Sequence, residues 1–180
     1  MPTQVFSRSE VQTRYSPLIV TLHWLVALLV LLEAFIGVGF LHFLPNTAIK
    51  ITPLSVHMFL GLAMLVLTVV RIFARALTPA PPMTSAGHPL LDLLGGITHF
   101  LLYVFTVLAA LTGVLLAINS HVLGLMVGGQ VSSPMYFAPF QHAAVFVLFG
   151  LLVGLHVIAS FYHQFVRRDR IFSRIWYGRD

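Results

Sequence analysis

Nine histidines in a chain of 180 residues outnumber its five acidic residues. Among those inside long apolar runs are His23, His57, His142 and His156. An ionisable side chain at such a position costs free energy and marks a functional site by default. His142 and His156 are 14 residues apart. On an α-helix that spacing rises about 21 Å and ends about 40° short of four whole turns, so both side chains leave one face at two depths. When the runs are threaded alternately through a membrane, His57 shares a depth with His142 and His23 shares one with His156. The four make two layers, each with one imidazole from each of two helices. Two imidazoles facing each other across a bundle supply the axial positions of a six-coordinate b-type haem, whose porphyrin fills the other four. Two layers predict two haems, one near each membrane face, with His23, His57, His142 and His156 as iron ligands. The chain has no cysteine, which excludes disulfides, iron–sulfur clusters and thioether-attached haem.

Other residues fall on the same faces. Arg71 is 14 residues after His57 and reads either as the partner of a haem propionate or as a cationic membrane anchor. Arg75 reads as an anchor. Gly61 and Gly154 permit close approach, to a macrocycle or to a neighbouring helix. His163, seven residues past His156, is placed to donate to a quinone carbonyl or to shuttle a proton, or is simply an interfacial polar residue. His99, at the start of the third run, is a second candidate for a quinone or propionate contact. Glu33 lies inside the first run, either as a proton-exchanging group or hydrogen-bonded to a nearby Ser or Thr. Met58 and Met64 read as packing residues, and His42, His88 and His121 as solvated ones.

The elements that carry these residues follow from composition. Of the chain, 58% is hydrophobic and 8% is charged, against about 25% charged in a soluble domain. Four apolar runs, at about 18–41, 53–76, 93–118 and 138–166, are each long enough to cross a hydrocarbon core of about 30 Å as a helix. No ten-residue alternation suggests a barrel. The first run exceeds a signal-peptide core of about 7–15 residues and reads as a retained span. The connections carry helix breakers: Pro45 and Asn46; Pro79, Pro81, Pro82, Gly87 and Pro89; Gly124, Gly128, Gly129, Pro134 and Pro139. The expected fold is an all-α membrane protein, a single domain over 1–180 built as a four-helix transmembrane bundle.

Charge orients it. Arg8, Arg14, Arg71, Arg75, Arg167, Arg168, Arg170, Arg174 and Arg179 fall on one side, and Lys50 alone falls on the other. Basic residues gather on the cytoplasmic side, so both termini are expected in the cytoplasm. The net charge of +5 then faces lipid headgroups, and no nucleic-acid partner is expected.

The segments TLHWLVALLV (21–30), PLSVHMFLG (53–61), LVLTVVRIFARAL (65–77), ITHFLLY (97–103) and QHAAVFVLFGLLVGLHVIASFYH (141–163) together resemble the bacterial cytochrome b561 family, which is related to the cytochrome b subunits of nickel–iron hydrogenases. The resemblance covers nearly all of the membrane domain. It implies a di-haem b protein of the bacterial inner membrane that exchanges electrons with ubiquinone or another quinone. It implies that His23 and His156 ligate the cytoplasmic-side haem and that His57 and His142 ligate the periplasmic-side one. His163 matches a further histidine beyond the last ligand. The connection over 119–140 is the least family-like part and leaves the periplasmic redox partner unnamed: a soluble redox protein, a catalytic subunit or a small reactant such as superoxide. Two rival readings stand beside this one. One is a membrane anchor for a separate catalytic partner, and the other is a haem-free proton-coupled transporter using His and Glu33.

Overall fold

The computed structural model describes residues 14–82, 85–127 and 140–177. The positions Arg8, Arg179, Gly128, Gly129, Pro134 and Pro139, and the expected start of the fourth span at 138, lie outside them.

Among the described residues the chain is helical and has no strand. Helix α1 spans Pro17–Ala34 and runs on without a break into a π-helical stretch, Phe35–Leu41. Helix α2 (Ile51–Leu77) follows a short 3-10 turn, and α3 spans Pro89–Asn119. Helix α4 (Phe140–Phe161) again widens into a π-helix, Tyr162–Arg167, and a one-turn helix, α5 (Ile171–Arg174), follows. The four long helices, with their continuations, are each long and apolar enough to cross a membrane.

Local chemistry sets their ends. At α1, Ser16 Oγ accepts from the Ile19 amide at 3.5 Å, and Pro17 fills the first position, where no amide proton is needed. Helix α3 starts at Pro89, four residues before the expected 93, because His88 caps it: Nδ1 accepts from the Leu90 amide at 3.2 Å. His88 is therefore a capping residue rather than a merely solvated one. Helix α2 stops at Leu77 because Thr78 precedes Pro79 and takes an extended conformation with ψ 139°.

Consecutive helices pack side by side, α1 on α2, α2 on α3 and α3 on α4. The faces turned outward are rich in Leu, Val and Phe; Leu31, Phe73, Phe100 and Leu151 are each more than 60% exposed. Such a surface suits lipid, where helix association needs no apolar core of its own. Four crossings bring both chain ends to one end of the bundle, called the near end here, and the Tyr15 amide donates to Arg174 O at 3.1 Å. The tail closes that end: Trp24 Nε1 donates to Ile175 O at 2.8 Å, Tyr177 pairs with Thr21 at 2.7 Å, and Arg174 donates to Pro82 O at 2.7 Å. At the far end, Val122 and Leu125 are buried with Ala117 against Ile51, Leu54 and Met58. Met58 is thus a packing residue, as is Met64, which is 5% exposed.

Candidate functional site

The bundle interior is organised by one spacing. Residues 14 apart face inward on all four helices: His23 and Gly37, His57 and Arg71, His99 and Gly113, His142 and His156. The far layer is therefore Gly37, His57, Gly113 and His142, and the near layer is His23, Arg71, His99 and His156. Halfway between them, Met64, Thr106 and Phe149 are buried and separate the layers.

In the far layer the rings of His57 and His142 face each other, with centres 6.1 Å apart and planes at 83°. In the near layer His23 and His156 face each other at 6.3 Å and 74°. A metal ion bound to two imidazole nitrogens at about 2 Å each, with each nitrogen about 1 Å from its ring centre, separates the centres by about 6 Å. Both pairs match that span. The His99 ring lies closer to His156, at 5.1 Å, which is too short for an ion between them. His99 Nδ1 is instead 2.9 Å from Gly95 O.

Each far ring has its Nδ1 close to a polar side chain of a neighbouring helix. Thr112 Oγ1 has two backbone acceptors for its single proton, Leu108 O at 2.8 Å and Ala109 O at 3.1 Å, which leaves it an acceptor for His142 Nδ1 at 3.1 Å when that nitrogen carries the ring proton. Glu33 Oε2 lies 2.8 Å from His57 Nδ1. No other polar atom among the described residues claims that nitrogen or the second oxygen, Oε1, which is also buried. Both Nε2 atoms are left for a metal. Each ring also lies against a glycine. A Cβ on Gly37 would stand 3.4 Å from His57 Cε1, and one on Gly113 would stand 3.3 Å from His142 Cε1.

The near layer is cationic. Arg71 Nε donates to the Tyr103 hydroxyl at 3.1 Å, while Nη1 is buried with no partner. That nitrogen is free for an anionic group such as a carboxylate. Beyond this layer, His163 Nδ1 is 2.6 Å from Asp169 Oδ2, and Arg167 Nε is 3.6 Å from the same oxygen. Asp169 is held there between Arg168 (φ 60°) and Arg170 (φ 52°). Left-handed conformations cost about 1–2 kcal/mol at residues other than glycine, so the surroundings must enforce this geometry. The Asp169 amide helps, donating back to His163 O at 3.0 Å.

The structure thus brings His23, His57, His142, His156, Arg71 and His99 together in two layers and leaves His163 at the near edge. His42 and His121 are exposed and belong to neither. Glu33 does not bond to a Ser or Thr; its partner is His57. Gly61 lies against Glu33, with a Cβ 3.6 Å from Oε2, and Gly154 meets nothing within 4 Å. The glycines at the far rings are instead Gly37 and Gly113. They were visible in the sequence, because each stands 14 residues after a histidine. Thr112 and Asp169 carried no such signal.

The chemistry of this donor set fits a haem at each layer: paired imidazoles at iron-spanning distance, glycines where a flat ring needs room, and an unpartnered guanidinium nitrogen for a propionate. Comparison with known proteins also points to b-type haem. The family described as prokaryotic cytochrome b561 matches residues 14–178. Cytochrome b562 of Cereibacter sphaeroides is 31% identical over 89% of this chain and 94% of its own. The probable superoxide oxidase CybB of Yersinia pestis is 25% identical over 90% of this chain and 95% of its own.

Proposed function

The chain belongs to the prokaryotic cytochrome b561 family and is a membrane electron carrier of the haem b type, and we propose that it holds two haems and connects quinone at the near, cytoplasmic end to a one-electron partner at the far end in the bacterial inner membrane. The observation that carries this reading is the pair of cross-bundle histidine contacts at 6.1 and 6.3 Å.

His57 and His142 hold the far haem, and His23 and His156 the near one. Bound haem supplies reversible one-electron exchange at its iron. Gly37 and Gly113 leave room beside the far imidazoles, and Arg71 offers Nη1 to a propionate of the near haem. Met64, Thr106 and Phe149 keep water out of the region between the layers. His163 exchanges the proton that accompanies quinone chemistry, with Asp169 fixing its ring through Nδ1. His99, beside His156, faces the same region and serves the quinone or a propionate. The far-end partner is best read as superoxide, a reading supported by the description of the Yersinia pestis relative as a probable superoxide oxidase.

The deciding experiment is a dithionite-reduced minus oxidised spectrum of the purified protein with haem counted per chain. A b-type α-band and two haems are expected. His142→Ala and His156→Ala should each remove one haem. Absence of the band overturns the whole reading, and survival of both haems in either variant overturns the ligand assignment.

A further inference from the structure

The paired histidines leave one ionisable group inside the bundle without a role. Glu33 sits within α1, two residues before its helix widens into the π-helical stretch. Its side chain is 8% exposed. A carboxyl group in a hydrocarbon environment is expensive unless it meets a partner. Here one oxygen, Oε2, reaches across to α2 and stops 2.8 Å from His57 Nδ1. Gly61, one turn after His57, lies beside this oxygen, and a Cβ there would stand 3.6 Å from it.

We infer that Glu33 is a positioning residue for the far haem, fixing the orientation of His57 and lowering the reduction potential of that haem relative to the near one. The inference rests on the reading of His57 as an axial ligand. A proton on Nδ1 shared with Oε2 leaves Nε2 bare, on a ring that faces His142 across the bundle. A partner on the distal nitrogen fixes the tautomer of a metal-bound imidazole and makes the ligating nitrogen more basic. A more basic ligand favours ferric over ferrous iron, which lowers the potential. In this ring orientation Nδ1 lies within hydrogen-bonding distance of Oε2 without meeting hydrogen-bond geometry. The far pair is asymmetric as a result: His142 has a neutral hydroxyl on its Nδ1, and His57 has a carboxyl group. Of the other acidic residues among the described ones, Asp92 lies in the first turn of α3, where Ser85 and Ala86 bond it, and Asp169 lies in the tail. Neither reaches a histidine of the two layers.

The test is a potentiometric titration of the purified holoprotein with the two haems resolved, together with the low-spin ferric EPR spectrum. In Glu33→Gln the far haem should become easier to reduce by about tenfold in its equilibrium, the lower end of effects seen when such partners are removed, which is about 59 mV for one electron. Its EPR signal should move while that of the near haem stays. Glu33→Asp, which keeps the carboxyl group on a shorter stem, should recover part of the shift. Unchanged far-haem potential and EPR signal in Glu33→Gln overturn the inference, as does an equal shift of both haems. His57→Ala separates the two claims. If it retains both haems, the ligand reading fails. If it loses one while Glu33→Gln shifts nothing, only the role of Glu33 fails.

Discussion

At the far layer two rings face each other, each with its Nδ1 turned to a polar group from another helix and its edge against a glycine. At the near layer three rings crowd together. His99 is beside His156, and Arg71 stands in the same layer. The same 14-residue spacing builds both layers, so helix geometry alone does not distinguish them. What differs is the nearest ionisable group: a carboxyl group at the far layer and a guanidinium at the near one. An anion beside a redox centre disfavours an added electron, and a cation favours it. On the proposed reading, haems held at the two layers are poised in opposite directions. The tail also acts at the near end only, closing over α1 and carrying Asp169 to His163.

The largest expected effect that breaks this comparison comes from filling a glycine. A branched side chain at Gly113 must occupy the space that holds the His142 ring, since even a Cβ stands 3.3 Å from it. Gly113→Val should lose the far haem and keep the near one, measured as haem per chain with the surviving EPR signal. Gly150→Ala, whose Cβ meets nothing within 4 Å, should keep both. Loss of the near haem in Gly113→Val would mean that the layers are not independent sites.

Next in size is the proton chemistry confined to the near end. Asp169→Asn should leave both haems and both potentials in place and slow quinone-linked turnover by about a hundredfold, the low end of a general acid–base contribution. The pH profile of turnover should change as well, which a purely structural change at the tail would not cause. His163→Asn should match it, because the two side chains act as one unit.

Arg71 supplies the counterpart of Glu33. Arg71→Gln removes the cation from the near layer while keeping a donor near Tyr103. The near haem should become about tenfold harder to reduce, about 59 mV for one electron, and the far haem should be unmoved. A shift confined to the far haem would reverse the assignment of the layers.

The limits of sequence reading follow the same division. The four spans and the two histidine layers were legible because length, hydropathy and a fixed angular step per residue are properties of one helix at a time. The partners of the rings were not. Thr112, Glu33 and Asp169 reach their histidines from another helix or from the tail, and nothing in a linear spacing says which helix faces give way to which. Glu33 stood out as a carboxyl group inside a span, read either as a proton-exchanging group or as bonded to a nearby hydroxyl, and His57 on another helix was not visible as its partner. The π-helical stretches were equally hidden. They change the angular step at Gly37 and His163, the kind of local widening often found at functional sites.

The smallest expected effect sharpens the contrast inside the far layer itself. Thr112 accepts from His142 Nδ1 at 3.1 Å, which does for His142 what Glu33 does for His57, but with no charge. A neutral hydrogen bond contributes about 1 kcal/mol, and fivefold in an equilibrium is about that much. Thr112→Val keeps the shape and removes the acceptor, so the far haem should become easier to reduce by about two- to fivefold, in the direction of Glu33→Gln and smaller. The substitution also frees Leu108 O from the Thr112 hydroxyl, but that carbonyl belongs to α3 and sits away from the iron-binding atoms. A shift in Thr112→Val as large as that in Glu33→Gln would mean that orientation of the rings, and not the carboxyl group, sets the far potential. The difference between the two layers would then lie in geometry rather than charge.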